Sequence, residues 1–430
     1  MSGTALTQRH RDTECRKFVD SGVAWIGQVP EGWALRRIAA LYELRSQKCS
    51  DRDFAPLSVT MKGVVPQLED VAKTNNGDER KLVRKGDFVI NSRSDRRGSC
   101  GISPLDGSVS LINTVLKPRG EMNPGYYSWV FRSAQFADEF FAWGHGIVDD
   151  LWTTRWSDMK SILVMSPPLS TQRTIAAFLD RECGKIDALR GKIETQIEKL
   201  DELKKSIITE AVTGKMGVGG KRRKMRPSGV EWIGDVPEGW KVTKLKYNIF
   251  VRSNLVPPDD YGDWPQISPE CIEKDSGKLI KCWNVSEAGV ESGNHLFKKG
   301  QIIYSKIRPA LNKVTIAQTD GLCSADMYPM DTSEDIKFVL YLLLSNYFVS
   351  QVELVTRDRI KMPKINQEEL GRVNIVLPPF AEQREIVEYL DRKCGAIDAA
   401  KGKCRAELEK LSEYKKSLIY ECVTGKREVA

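Results

Sequence analysis

Histidine is scarce in this sequence, and its cysteines are never closely spaced. The 430 residues include only three histidines, His10, His145 and His295, each in a different segment. None of the ten cysteines belongs to a C-x-x-C pair. Zinc sites need thiolate or imidazole ligands at short, repeated spacings. The sequence therefore argues against a metal site, and we expect reduced, mostly buried thiols.

Long apolar runs are also missing. No stretch approaches the roughly 18–20 apolar residues that cross a bilayer. The polar N-terminus, MSGTALTQRHRDTECRKF, has no apolar signal-peptide core. We therefore expect a cytoplasmic protein without a membrane partner. The length leaves room for two or three domains, and the net charge of +8 favours an anionic partner without proving one.

Motifs for catalysis are absent as well. Amino-methyltransferases hold a target amine with a polar residue before a double proline and an aromatic residue after it. Here SPPL at 166–169 lacks the aromatic residue, and LPPF at 377–380 lacks the polar one. No glycine fingerprint follows a predicted strand, and no G-x-x-x-x-G-K-[ST] loop offers a nucleotide site. The sequence thus predicts a chain with no catalytic residues, no metal and no cofactor of its own.

What the sequence does contain is an internal repeat. Residues 21–33 return at 228–240 with eleven of thirteen positions identical. A longer block, 167–215, returns at 378–426 with 28 identities over 49 positions. The two halves of the chain are therefore copies of one plan.

Between the repeated blocks, the two halves share shape more than sequence. A glycine turn and a short buried strand are predicted at 85–92 and again at 299–306. Apolar-rich helices are predicted at 126–136 and 336–348, the second with a capping box formed by Thr332-x-x-Asp335. One fold with two different surfaces suits two domains that recognise different targets.

This plan predicts an α+β chain with a pseudo-two-fold internal repeat. Two globular domains of mixed helix and strand alternate with two long helices, and a basic, glycine-containing linker joins the halves. The predicted bounds are 1–166 for the first domain, 167–215 for the first helix, 216–227 for the linker, 228–377 for the second domain, and 378–430 for the second helix and tail.

Each repeated helix carries a heptad pattern. A helix of this kind is unstable alone, so each copy needs a partner. The copies can pair with each other, in parallel or antiparallel, or each can pack on its own domain. The heptad portion of the first helix spans roughly 33 Å, close to one turn of B-DNA. The predicted coiled-coil interface is Ile186, Leu189, Ile193, Leu200, Leu203 and Ile207 with Ile397, Cys404, Leu411, Tyr414 and Leu418.

Both repeated blocks resemble one known family. Trp-Ile-Gly-x-Val-Pro-Glu-Gly-Trp at 25–33 and 232–240 is similar to the head motif of type I restriction–modification specificity (S) subunits. So is Pro-Pro-x-x-x-Gln-Arg-x-Ile…Leu-Asp-Arg…Ile-Asp at 167–187 and 378–398. The resemblance covers nearly the whole chain. One departure is that a Lys-Ile-Arg-Pro strand end stands at 306–309, whereas the first half has Arg-Ser-Asp-Arg-Arg at 93–97.

The resemblance implies a function as well as a fold. Subunits of this family carry two target recognition domains, each recognising one part of a split double-stranded DNA site, joined by antiparallel helices that set the gap. They dock two modification (methyltransferase) subunits, which bind S-adenosylmethionine, and restriction (translocase–nuclease) subunits, which use ATP and Mg. The specificity subunit itself is not an enzyme.

Recognition of bases requires bidentate Arg, Asn or Gln side chains, with Lys and Arg on the phosphates. In each half, one cluster of such residues lies at the end of the predicted buried strand and a second lies before the double proline. For any single residue, a solvated surface charge is an equally good interpretation. The predicted DNA-contacting residues are Asn91, Arg93, Arg96, Arg97, His145 and Arg155, and then Lys306, Arg308, Asn312, Lys313, Arg357, Arg359, Lys361 and Lys364.

Two other classes of protein remain as alternatives to a DNA-recognising adaptor. A fused nuclease or methyltransferase would show activity dependent on S-adenosylmethionine or Mg²⁺ from the purified chain alone. A coiled-coil scaffold would show no sequence-selective retention of DNA in its complex.

Overall fold

The computed structural model describes residues 16–68, 77–93, 97–146, 152–217, 223–230, 233–359 and 361–429. The chain divides into two compact units. Unit 1 consists of residues 1–193 and 406–430, and unit 2 of residues 194–405. Both divisions fall inside the two long helices, so each unit contains one globular domain and a portion of each helix.

Unit 1 is built mainly from short antiparallel strands. A four-stranded sheet (β10-β9-β12-β4), a three-stranded sheet (β11-β8-β5) and three strand pairs (β1-β2, β3-β13, β6-β7) form its domain. The strands are β1 (Phe18–Asp20), β2 (Gln28–Pro30), β3 (Ala34–Arg37), β4 (Tyr42–Leu44), β5 (Lys48–Cys49), β6 (Leu57–Thr60), β7 (Gly63–Pro66), β8 (Arg80–Val83), β9 (Phe88–Asn91), β10 (Cys100–Ile102), β11 (Gly107–Val109), β12 (Asn113–Pro118) and β13 (Leu163–Ser166). The helices are α1 (Ile38–Leu41), α2 (Pro124–Arg132), α3 (Ala134–Ala142), α4 (Trp156–Met159) and the start of α5 (Leu169–Val212).

Unit 2 repeats this plan with a larger second sheet. Its sheets are β17-β25-β22-β23 and β18-β21-β24-β19-β20, with the pairs β14-β15 and β16-β26. The strands are β14 (Met225–Pro227), β15 (Asp235–Pro237), β16 (Lys241–Lys244), β17 (Ile249–Val251), β18 (Leu255–Val256), β19 (Pro265–Ile267), β20 (Trp283–Asn284), β21 (Asn294–Phe297), β22 (Ile302–Ser305), β23 (Val314–Ile316), β24 (Gly321–Cys323), β25 (Met327–Thr332) and β26 (Asn374–Leu377). The helices are α6 (Ile336–Leu344), α7 (Asn346–Thr356), α8 (Gln367–Arg372) and most of α9 (Phe380–Val423).

The four-stranded sheets of the two units have the same topology. Each places a fully buried strand in the interior, β9 in unit 1 and β22 in unit 2, paired with β12 and with β25 respectively. Both strands follow the predicted glycine turn, so that prediction is confirmed. A strand buried on both faces needs a continuous apolar run, which the segments FVIN and IIYS largely supply.

The apolar helix predicted in each half is two helices with a serine between them. Ser133 ends α2 by donating its hydroxyl to the carbonyl of Val130 at 2.7 Å, and it caps α3 by accepting from the Phe136 N–H at 3.3 Å. Ser345 does the same between α6 and α7. The shared Ser-x-x-Phe pattern is therefore an N-cap signal that breaks the helix.

The capping box predicted for the start of α6 is wrong. Asp335 is itself the N-cap, and its carboxylate accepts from the backbone N–H groups of Lys337 and Phe338 at 3.0 Å. Thr332 instead accepts from the backbone of Glu334 and donates to Asn248, so it serves the preceding turn.

The glutamine of each Pro-Pro-x-x-x-Gln motif ties a long helix to its domain. Gln172 is buried, donates to the Pro167 carbonyl at 2.8 Å, and accepts from the backbone of Asn123, the N-cap of α2. Gln383 makes the matching bonds in unit 2, to the Pro378 carbonyl and from the Asp335 N–H. This part of the motif therefore serves the fold.

The long helices run antiparallel, as contacts inside each unit show. In unit 2, Asp201 pairs with Lys401 and Lys204 pairs with Asp398, so a step of three residues forward on α5 matches three backward on α9. In unit 1, Asp187 pairs with Lys415 at 2.6 Å, and Ile186 and Cys183 share one core with Leu418 and Cys422. The antiparallel alternative is the one the chain adopts.

The apolar seam of these helices differs from the predicted heptad assignment. The first heptad position is buried at Ile186, Ile193, Ile397, Cys404 and Leu418, and half-buried at Leu200, Ile207 and Leu411. The prediction is wrong for the fourth heptad position, because its residues Leu189, Leu203 and Tyr414 are 42%, 47% and 50% exposed.

On both long helices, the second row of buried residues lies four residues after the first heptad position, not three. Ile197 and Leu408 are half-buried there, and Lys204 is buried at the equivalent place two turns on. Residues four apart share a helix face just as residues three apart do. Lys204 and its repeat counterpart Lys415 occupy such places, so an assignment based on apolar side chains misses this row.

Each long helix ends on the head motif of a domain. Gly425, with φ of +74°, lies where a Cβ atom would meet Pro30 at 2.5 Å and Trp33 at 2.8 Å. In unit 2, Gly214 lies in the same way against Pro237 and Trp240. Glycine is needed at the helix end both for its backbone conformation and for this close packing.

Three further features bear on the sequence predictions. The end of the predicted linker is structured, since β14 pairs with β15 and Arg223 forms an ion pair with Glu382. The nine described cysteines are free thiols, and all except Cys49 and Cys282 are buried. Among the described residues, no single helix is long and apolar enough to cross a membrane, although the bent pair α6–α7 meets that criterion by length and composition alone.

Candidate nucleic-acid interface

The two basic clusters predicted in the first half meet at one corner of unit 1. Arg93 and Thr153 form an isolated antiparallel bridge, and the Thr154 N–H donates to the Ser92 carbonyl at 2.9 Å. This links the end of the buried strand β9 to the segment that precedes β13. We call residues 91–93 and 153–154 the unit 1 corner.

The predicted cations in and beside the unit 1 corner lie at the surface. Arg93 and Arg155 are exposed. Arg97 lies 3.5 Å from Asp138, with its guanidinium 3.7 Å from the ring centroid of Phe141. His145 is exposed, with Nε2 3.7 Å from Asp158.

Asn91 and Arg96 differ from the other predicted contacts of the first half. Asn91 is buried and accepts from the Arg93 N–H at 2.9 Å, so its amide shapes the turn. Arg96 lies outside the described residues. DNA contact by the predicted residues of this corner stays a prediction.

Behind the unit 1 corner lies an aromatic pocket. Phe141 and Trp152 stack in its wall with ring centroids 5.4 Å apart, and Phe131, Phe136 and Phe140 complete its apolar lining. The Arg97 guanidinium lies against the face of Phe141 in the same wall.

Unit 2 forms the equivalent corner with the same connection. Ile307 and Lys364 make an isolated antiparallel bridge, and the Arg308 N–H donates to the Pro363 carbonyl at 2.8 Å. The end of β22 is thereby joined to the basic segment that precedes β26. We call residues 305–308 and 363–365 the unit 2 corner.

In and beside the unit 2 corner, some cations are free and others are neutralised by carboxylates. Arg308 and Lys361 are exposed, and no ion pair engages them within the part of the chain that the structure describes. Lys364 pairs with Asp326 at 2.8 Å. Arg359 pairs with Glu369, and these hydrogen bonds hold the pKa of Glu369 below its ordinary value. The paired cations have less charge available for phosphate.

The remaining predicted residues of the second half lie around this corner in different settings. Lys306 is half-buried with its ammonium 5.2 Å from the ring centroid of Tyr328. Lys313 donates to the Pro269 carbonyl at 2.6 Å, and Arg357 is exposed beside Asp358. Asn312 is buried and donates to the Leu344 carbonyl, so its amide serves the fold. DNA contact by these residues also stays a prediction.

A polar cleft beside the unit 2 corner was not indicated by the basic clusters. Its lining includes Gln266, Asn294, Arg308 and Lys313, with the carboxylates of Glu270 and Glu291. Gln266 and Asn294 lie on β19 and β21, far from the clusters in sequence. The sequence signal for Gln266 was a polar side chain between the apolar residues Pro265 and Ile267 of β19.

Comparisons with known proteins point to one family. Residues 237–410 match the family model described as the Type I restriction modification DNA specificity domain. The chain is 27% identical over 334 residues to the Type I restriction enzyme EcoDI specificity subunit of Escherichia coli, a match that covers 73% of this chain and 75% of that protein. It is 24% identical over 436 residues to the putative MjaX specificity subunit of Methanocaldococcus jannaschii, covering 94% and 96%. In these matches the chain is similar to type I specificity subunits.

A solved structure supports the fold of this chain. A chain from a study of complex assembly and conformational transition in the type I R-M system superposes with a TM-score of 0.67 at 16% identity. The superposition covers 92% of this chain and 98% of that one. The resemblance stated from the two repeated blocks is therefore confirmed, as is the α+β architecture with its antiparallel helices.

Proposed function

We propose that this chain is the DNA-recognising subunit of a type I restriction–modification complex, and that its two domains recognise the two parts of a split site. The observation that carries the proposal is the repeated corner. In both units the same bridge joins the end of a buried strand to the segment before the double proline, while the side chains displayed there differ. A common frame with different side chains suits two recognition domains with different targets.

The antiparallel helices give this proposal its geometry. In this proposal, the length of the two 44-residue helices, which pair antiparallel, sets the separation of the two recognised DNA segments. The unspecified gap in the DNA site then depends on helix length rather than on base contacts.

We further propose that catalysis belongs to partner subunits. The complex would contain two modification subunits that bind S-adenosylmethionine and restriction subunits that use ATP and Mg, with no cofactor on this chain. The purified chain alone should then neither methylate nor cleave DNA.

The test uses the chain assembled with its modification subunits. Arg93→Ala in the unit 1 corner and Arg308→Ala in the unit 2 corner should each weaken binding to the split site. If each arginine contacts one phosphate, the slope of log K against log salt should fall by about one.

The matched controls are lysines that come just before β9 and β22 begin, whereas the corners lie where these strands end. Lys85→Ala and Lys299→Ala remove exposed cations that precede β9 and β22 by a few residues. Binding should be unchanged in both. Equal losses from corner and control variants would show that the corners are not the interface.

A further inference from the structure

The polar cleft of unit 2 has an incompletely satisfied floor. Gln266 and Asn294 are only 5% and 3% exposed. The Gln266 Nε2 donates weakly to the Asn294 Oδ1 at 3.4 Å, and the Asn294 Nδ2 donates to the Ser292 carbonyl at 2.9 Å. No other side-chain hydrogen bond of these two residues is present within the described chain.

Counting donors and acceptors shows what the floor can offer. A primary amide has two N–H donors and an acceptor oxygen. Each of the two amides therefore keeps one N–H unused, and Gln266 also keeps its Oε1. These unused atoms are open to the cleft rather than sealed from solvent. An adjacent free donor and acceptor on the cleft floor can therefore pair with a ligand that offers the complementary acceptor and donor.

The backbone around the cleft is strained. Among the described residues other than glycine, positive φ angles occur at Asp275, Arg308, Asn312 and Met362. Arg308 and Met362 line the cleft, and Asn312 ends the short 3₁₀ helix that follows Arg308. Strain of this kind persists where surrounding contacts hold it, and it concentrates at binding sites. Here it fixes the exposed Arg308 at the mouth of the cleft.

The lining distinguishes between the parts of a DNA strand. The carboxylates of Glu270 and Glu291 lie in the same cleft as Arg308 and Lys313. Carboxylates repel phosphate, whereas the edge of a base offers both donors and acceptors. Glutamine and asparagine amides pair in two-point fashion with the N6 and N7 atoms of adenine.

We propose that this cleft is where unit 2 discriminates one base pair of its part of the DNA site, with the amide of Gln266 paired to an adenine. Asn294 positions that amide by accepting from its Nε2. The inference rests on the proposed function and adds a ligand chemistry to it. Gln266 and Asn294 both belong to unit 2, so we expect the effect to be confined to one half of the site.

The experiment maps methylated bases produced by the complete complex carrying Gln266→Leu. One base pair in one half of the site should lose discrimination by about 10-fold or more, and the other half should stay unchanged. Asn294→Ala should relax the same base pair. Gln266→Glu keeps the side-chain shape and should shift the preference at that position toward cytosine, whose N4 donates. Gln318→Leu, an exposed glutamine of the same unit, should leave the site unchanged.

Two results would overturn the inference. One is an unchanged site with Gln266→Leu and Gln266→Glu. The other is a uniform loss of binding to all sequences, which would assign Gln266 to phosphate positioning. Failure of the proposed function itself is distinct, since the wild-type complex would then methylate no defined split site.

Discussion

Replacing Asp398 with asparagine should destabilise unit 2 far more than the equivalent change destabilises unit 1. The Lys204 ammonium lies 2.8 Å from the Asp398 carboxylate, and their side chains are 11% and 24% exposed. Lys278 binds the other carboxylate oxygen at 2.7 Å. Asp398→Asn leaves the Lys204 ammonium buried without its counter-ion, which costs about 3 kcal/mol.

Unit 1 supplies the matched comparison through the repeat. Asp187 and Lys415 make the equivalent pair, but the Asp187 side chain is 58% exposed. An ion pair open to water contributes about 1 kcal/mol or less, so Asp187→Asn should have a small effect. The difference of about 2 kcal/mol corresponds to roughly a 30-fold difference in the local opening equilibrium.

Amide hydrogen exchange of the full chain measures the two effects separately, because it reports local opening of each segment. Asp398→Asn should accelerate exchange in residues 380–405 by about 100-fold, and Asp187→Asn should accelerate residues 169–193 only several-fold. Replacing both Lys204 and Asp398 with apolar residues of similar size should recover much of the loss. Equal acceleration by the two single substitutions would refute the reasoning from burial.

Two further predictions concern packing and pH. Gly425→Ala should destabilise unit 1 by several kcal/mol, because the added Cβ would meet Pro30 and Trp33. Gly191→Ala, on the open face of α5, should instead stabilise its helix by about 1 kcal/mol. Thermal unfolding of the two variants measures this contrast, and equal unfolding temperatures would show that the helix end is loosely packed. Burial, reinforced by the charge of Lys306, lowers the pKa of His295, so the folded chain binds fewer protons than the unfolded one and stability should fall as pH drops below about 6.5. His295→Gln should flatten that part of the pH profile, and an unchanged profile would contradict it.

The repeat made much of this fold predictable. The two long helices and the two buried strands were all visible because each pattern occurred twice. Sequence could not assign the helix seam correctly, since the buried stripe includes Lys204 and Lys415, whose neutralising carboxylates come from the other helix. An ion pair between residues so far apart in the chain leaves no periodic apolar signal.

The candidate site was predictable in its parts but not in its assembly. The basic clusters were found from composition, yet nothing in the sequence indicated that Arg93 would pair with Thr153 or Ile307 with Lys364. Asn91 and Asn312 were chosen for their side-chain type, and the fold uses both amides internally. Gln266 was missed because a single amide inside a strand resembles any other polar substitution.

The central claim, that the paired helices fix the gap between two recognised DNA segments, has a direct test. Deleting residues 190–196 and 401–407 removes one heptad from each helix and shortens the pair by about 10 Å, close to three base pairs at about 3.4 Å each. Mapping of methylated sites in a host carrying the complete complex should show both half-sites unchanged and a gap shorter by about three base pairs. A gap of the original length, in an active complex, would contradict the account.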